Sequence, residues 1–151
     1  MEKTTKACEV ALSYKTKVKA GDRAKIACSS DTVDILRSTV FNEDTIEHHE
    51  SFYVMLLNRA NRVLGFHKVS DGGIAETAID VRIVMQAAIL ANASGIILSH
   101  NHPSGNLQPS KQDIAITEKI KRGGELFDIT VLDHIVVTAD SYYSFADNGN
   151  I

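Results

Sequence analysis

The chain has 151 residues, 44% apolar and 23% charged, which is enough for a core and ordinary for a globular protein. Its formal net charge of −3 argues against a protein held on nucleic acid by bulk positive charge. Two cysteines without paired metal spacing, Cys8 and Cys28, argue against a disulfide scaffold, and no 18-residue apolar run offers a membrane span. Met1 to Lys6 lacks an apolar signal core, so the expectation is one domain over residues 1–151 in the cytoplasm.

Residues 8–18 alternate, with Val10, Leu12, Tyr14, Thr16 and Val18 on one side, which predicts a half-exposed strand. Its lysines suit a solvated edge. Ser29-Ser30-Asp31 reads as the cap of a helix from Thr32 to Val40. Phe41 to Ser51 is polar. Phe52 to Leu57 is a continuous apolar run and predicts a central strand. A turn at Asn58–Asn61 returns Arg62 to Val69 as its hairpin partner. After the loop Asp71-Gly72-Gly73, Thr77 is placed to cap a long helix from about Ala78 to Ala93.

Gly95 to Leu98 predicts a short buried strand running into His100 and His102. At spacing two on a strand, both imidazoles point to one face of the sheet. Pro103, Gly105 and Pro109 then force a loop, and Ser104-Gly105 keeps it small and open. A helix follows from Lys111 to Arg122, closed by Gly123-Gly124, with Asp113 in its first turn. Asp128 to Leu132, His134 to Thr138 and Tyr142 to Phe145 predict three more short strands, followed by a loose tail. The order predicts an α/β chain of the α+β kind, a mixed sheet with helices on both faces.

Two histidines and a carboxylate are a normal ligand set for catalytic zinc, with water in the fourth position. His100, His102 and Asp113 supply that set. Ser110-Lys-Gln-Asp113 equally fits a capping box, in which the serine caps a backbone N–H and the acid suits the positive helix end. The two readings are compatible and both stay open at Asp113. His134 fits a hydrogen-bonded structural histidine better than a group supporting a metal ligand. His48, His49 and His67 fit surface positions.

His100-x-His102, ten residues, then Asp113, with Ser110 three before it, resembles the JAMM motif of MPN-domain metalloproteases. The fuller string His-Asn-His-Pro-Ser-Gly, then Pro-Ser-x-x-Asp, is similar to the RadC branch of that superfamily. Glu50-Ser51-Phe52, Leu132-Asp133-His134-Ile135 and Tyr142-Tyr143-Ser144-Phe145 match as well, so the resemblance covers roughly residues 30 to 151.

The resemblance implies an MPN (JAB) fold akin to the α-β-α sandwich of cytidine deaminase. It implies Zn2+ held by His100, His102 and Asp113, and hydrolysis of a peptide or isopeptide bond in a peptide or protein substrate. It also implies a catalytic glutamate upstream, at the start of a strand. Glu50 matches that place, with Glu47, Glu43 and Glu76 as rivals. Ser110 matches the motif serine, whose hydroxyl would polarise a substrate carbonyl, beside its simpler reading as a helix cap. RadC proteins usually carry an N-terminal helix-hairpin-helix region, for which this chain has no room, so nucleic-acid binding by the chain is not expected. A DNA-repair-associated binding module and a catalytically silent MPN scaffold are the rival readings. The sequence is silent on oligomeric state.

Overall fold

A computed structural model describes residues 7–72 and 78–151. Helix α1 is Ser29–Thr39, and strands β1 (Ser51–Leu57) and β2 (Val63–Asp71) form the expected hairpin. Helix α2 (Val81–Leu90), strand β3 (Gly95–Asn101), helix α3 (Lys111–Glu125) and strands β4 (Thr130–Val137) and β5 (Tyr142–Ser144) follow. The five strands make one mixed sheet in the order β2-β1-β3-β4-β5. Only the β3–β4 pairing is parallel.

The sheet separates two apolar clusters. Phe52, Val54 and Leu56 of β1 and Ile96 and Leu98 of β3 face Val84, Met85 and Ala88 of α2 and Ile120 of α3. Tyr53, Met55, Leu57 and Ile97 point the other way, onto Val33 and Leu36 of α1. This is the mixed α/β sandwich expected from the order of elements. Each fully buried aliphatic side chain contributes about 1.5–3 kcal/mol of transfer free energy. The apolar run of β1 is therefore buried on both faces because helices cover both.

Four expectations are corrected. Residues 8–18 form no strand: they are exposed, and Tyr14 Oη donating to Leu64 O at 2.6 Å reaches β2 without a ladder. Alternation supplied a two-faced segment, but its backbone groups find no partner strand. Helix α2 begins later and ends earlier than Ala78–Ala93. Asp80 caps it, accepting from Arg82 N, and Asn92 at φ 55° closes it. The proposed Thr77 cap lies outside the described residues.

Helix α3 runs through Gly123 and Gly124 instead of ending there. The Gly124 carbonyl accepts from Phe127 N and Ile129 N, and a Cβ on Gly124 would sit 2.4 Å from Ile129 O. That glycine is needed for close approach of the chain after the helix, and the reversal itself falls at Asp128 (φ 55°). The last three expected strands are two. Asp133 continues β4, because its carboxylate is satisfied inside the fold by Ser144 Oγ, Ala146 N and His134 N.

Pairing of β3 with β4 contains one irregularity. Ile96 is opposite Val131, but Ile97 is opposite Asp133, so Leu132 is an extra residue. A side chain on Gly95 would meet Leu132 Cδ1 at 2.9 Å. Glycine at 95 therefore leaves room for the extra residue. Beyond it, His134 faces the same side of the sheet as His100.

Candidate metal centre

The last two residues of β3 and the loop that follows place the histidines. His100 is fully buried, between Phe52 of β1 and Val136 of β4 in the sheet register. Its ring stacks on Phe52 with centroids 5.8 Å apart and planes 9° from parallel. His102 stands just beyond the strand, tied to β4 by its backbone N–H, which donates to Val137 O at 3.0 Å. The loop containing Pro103 and Gly105 (φ 81°) then leads to α3. Asp113 sits in the first turn of that helix.

These three side chains converge. His100 Nε2 lies 2.9 Å from His102 Nε2 and 3.3 Å from Asp113 Oδ1. His102 Nε2 is 3.4 Å from Asp113 Oδ2. A tetrahedral zinc with bonds of about 2.0–2.1 Å sets its donor atoms roughly 3.3 Å apart. The observed separations fall around that figure, so the three residues together fit a metal ion. His102 Nδ1 faces the carbonyl of Asn106 at 2.6 Å. A carbonyl only accepts, so Nδ1 carries the proton and a neutral His102 presents a lone pair at Nε2.

Charge is arranged to suit a cation. Burial opposes the ionised form of Asp113, but hydrogen bonds to His100 and His102 outweigh it and hold the carboxyl well below the usual carboxylate range. Burial likewise opposes a charged His102. The hydrogen bonds to Asp113 and to the Asn106 carbonyl outweigh it, and the pKa of His102 is raised. The negative charges of Asp113 and Glu50 act in the same direction.

Both readings of the Ser110–Asp113 segment hold. Ser110 Oγ accepts from Asp113 N at 3.0 Å, and Ser110 N donates to Asp113 Oδ2 at 2.7 Å, a complete capping box. Asp113 Oδ1 is directed at His100 in the same conformation. The cap fixes the carboxylate that completes the site.

Glu50 precedes β1 and is buried. With His102, Ser110 and Asp113 it lines an open cleft of about 770 Å³, whose other walls include Phe52, Ile79, Pro103, Ile116 and Lys119. Glu43 and Glu47 are exposed and outside this cleft. Glu76 lies outside the described residues. His48 and His67 are exposed, as expected, and half-buried His49 faces Asp71 at 3.5 Å.

Sequence reasoning missed two supports. Asn101, between the two histidines but pointing to the opposite face, donates from Nδ2 to Ile46 O and His49 O and accepts from Ser51 N. It straps down the segment that carries Glu50. His134 was expected to be a hydrogen-bonded structural residue. It is hydrogen-bonded, but to the metal-site histidine itself: Nε2 lies 2.8 Å from His100 Nδ1, and Nδ1 lies 2.6 Å from Thr117 Oγ1. Burial is the largest influence on its pKa, followed by His100, and the value falls well below normal, so the ring is neutral. The signals in the sequence were a histidine at the start of an apolar run and the family match at Leu132-Asp133-His134-Ile135, and neither names its partners.

The comparisons with known proteins agree with this architecture. Residues 26–150 match the model of the RadC-like JAB domain. A UPF0758 protein of Flavobacterium johnsoniae is 44% identical over 125 residues, covering 83% of this chain and 53% of that protein. UPF0758 proteins of Porphyromonas gingivalis and Salinibacter ruber are 42% and 35% identical, covering 66% and 86% of this chain. The chain spans about half the length of the curated relatives it matches. On the strength of the matched 125-residue span and the relative 44% identical across it, the chain belongs to the RadC-like JAB domain family.

Proposed function

We propose that this chain is a zinc-dependent metallohydrolase that cleaves a peptide or isopeptide bond. The observation that carries the reading is convergence: His100 Nε2, His102 Nε2 and a carboxylate oxygen of Asp113 meet at the wall of an open cleft that Glu50 also lines. His100, His102 and Asp113 would hold the ion. When bound, zinc supplies a Lewis acid that makes water a nucleophile near neutral pH and polarises a carbonyl.

The remaining work falls to this chain's own groups. Glu50 is the general base: its carboxylate accepts a proton from the attacking water and delivers it to the leaving nitrogen. Its seat before β1, on the segment held by the Asn101 strap, lies on the same cleft as His102. Ser110 Oγ accepts from Asp113 N, which leaves its own O–H free to donate to a substrate carbonyl oxygen. The cleft mixes apolar walls with amide and hydroxyl groups, a lining that suits an extended polypeptide segment. Screening a peptide and isopeptide library with zinc-loaded protein, with Glu50→Gln as the control, tests the reading. Turnover by wild type alone supports it; turnover that persists with zinc removed and its absence verified overturns it.

A further inference from the structure

We propose that His134 and Thr117 are positioning residues that hold a proton on His100 Nδ1, so that Nε2 is the atom left to face the metal. The inference rests on the metal-site reading above and adds a mechanism for its most buried ligand.

One hydrogen-bond chain runs from α3 through His134 to His100. Thr117 Oγ1 lies 2.6 Å from the backbone carbonyl of Asp113, one turn earlier in α3. That carbonyl can only accept, so the single hydroxyl proton of Thr117 points to it. Toward His134 the hydroxyl can then only accept, and Nδ1 of His134, 2.6 Å away, must be the donor. His134 is fully buried, and its two ring nitrogens face Thr117 Oγ1 and His100 Nδ1, so its ring is neutral and carries one proton. Nε2 of His134 is therefore bare and accepts from His100 Nδ1–H at 2.8 Å. A neutral His100 with its proton on Nδ1 has its lone pair on Nε2, the atom nearest Asp113 and His102.

The direction of all three bonds is set by a peptide carbonyl that cannot reverse. That carbonyl belongs to Asp113, the residue whose carboxylate also completes the site. The rings are held in place as well as in protonation: Phe145 stacks on His134 with centroids 4.7 Å apart and planes 15° from parallel, and Phe52 meets its edge. A partner that orients a ligating histidine is commonly worth 10- to 100-fold in metal affinity.

The test uses the metal-free and the zinc-titrated chain. Long-range proton–nitrogen NMR of metal-free wild type should show His100 protonated at Nδ1. In Thr117→Val the anchor is gone, and His100 should acquire a population without the Nδ1 proton. Zinc affinity, measured by competition with a chromophoric chelator, should fall about tenfold in Thr117→Val and 10- to 100-fold in His134→Leu. His134→Gln, whose Oε1 can accept where Nε2 did, should recover affinity to within about threefold of wild type. Wild type that binds no zinc defeats the metal-site reading, while the NMR measurement still decides the tautomer. The positioning role is overturned if wild type binds zinc but His100 carries no proton on Nδ1. It is equally overturned if Thr117→Val, folded by its melting curve, keeps both wild-type affinity and a single tautomer.

Discussion

The side-chain oxygen of Asn101 accepts a hydrogen bond from the backbone N–H of Ser51 at 2.8 Å, joining the strand of the metal-site histidines to the residue after Glu50. The Asn101 amide donates to Ile46 O and His49 O on the same segment. One side chain thus ties the segment that carries Glu50 to the strand that carries His100.

Replacing Asn101 with Ala leaves one N–H and two carbonyls without this partner. A buried polar group left unpaired costs about 1–3 kcal/mol. We expect Asn101→Ala to lower stability in urea by at least about 2 kcal/mol and to reduce hydrolysis more than zinc binding. A variant as stable as wild type would show that water or neighbouring chain replaces the strap.

Metal content gives the most direct check. Purified protein saturated with zinc should retain close to one ion per chain by elemental analysis, and His102→Ala should lose it. Equal retention by both proteins would remove the three converging residues as the binding site.

Asp113 separates its two duties in one substitution. Asparagine still accepts from a backbone N–H, so Asp113→Asn should keep most of the helix cap. It lacks the charge that attracts a cation. Zinc affinity should fall by at least about tenfold, the scale set by loss of an orienting or ligating contact. Unchanged affinity would reduce Asp113 to a cap.

Acidity should affect the metal-free and zinc-loaded forms in opposite ways. His102 has a folded pKa raised above its ordinary 6.5, so its contribution is fully present below that value and is lost as pH rises through the raised one. The carboxyl of Asp113 is depressed from its ordinary 3.8, so its contribution is present above that value and is lost only as pH falls through the depressed one. Metal-free protein should therefore lose melting temperature as pH rises above neutrality. Zinc ligation needs His102 without its Nε2 proton, so zinc affinity should rise over the same interval. Melting curves with chelator and zinc titrations from pH 5 to about 9 would show both trends. Metal-free stability that increases above neutral pH would contradict the assignment of His102.

Glu50→Gln keeps size and shape but cannot take a proton. Zinc binding should survive, and hydrolysis of any substrate found should fall roughly a hundredfold or more. Loss of zinc in this variant would instead make Glu50 a ligand and reopen the role of Asp113.

What could be read from the sequence was local. Spacing two at the end of a strand predicts His100 and His102 on one side, although His102 falls just past the strand's end, and Asp113 follows at a helix start marked by proline and serine. These signals need no knowledge of distant partners. His134 was different, because its meaning depends on Thr117, 17 residues away on a helix packed against the sheet. Asn101 was hidden for the same reason: its partners lie some 50 residues earlier. Asp133 looked like a break in a strand, since its more distant partners, Ser144 Oγ and Ala146 N, cannot be read from its neighbours. The alternation of residues 8–18 was real, but alternation alone does not supply a neighbouring strand. Gly123-Gly124 resembled a stop because glycine often ends helices, whereas here the space beside Gly124 is taken by the backbone of Ile129.

Leu132 also bears on how β4 is anchored. Val131, before it, packs against the cluster under α2 and α3, while Ile135 and Val137, of the same parity, pack against α1. The extra residue works as a slip joint between two lengths of one strand. The upper length is anchored on its own terms, by β5 opposite Ile135–Val137, by the Asp133 bonds, and by Phe145 N donating to His134 O. The lower length answers to the turn after α3. The register of His134 against His100 is therefore held from the β5 side of the irregularity, separately from the turn after α3.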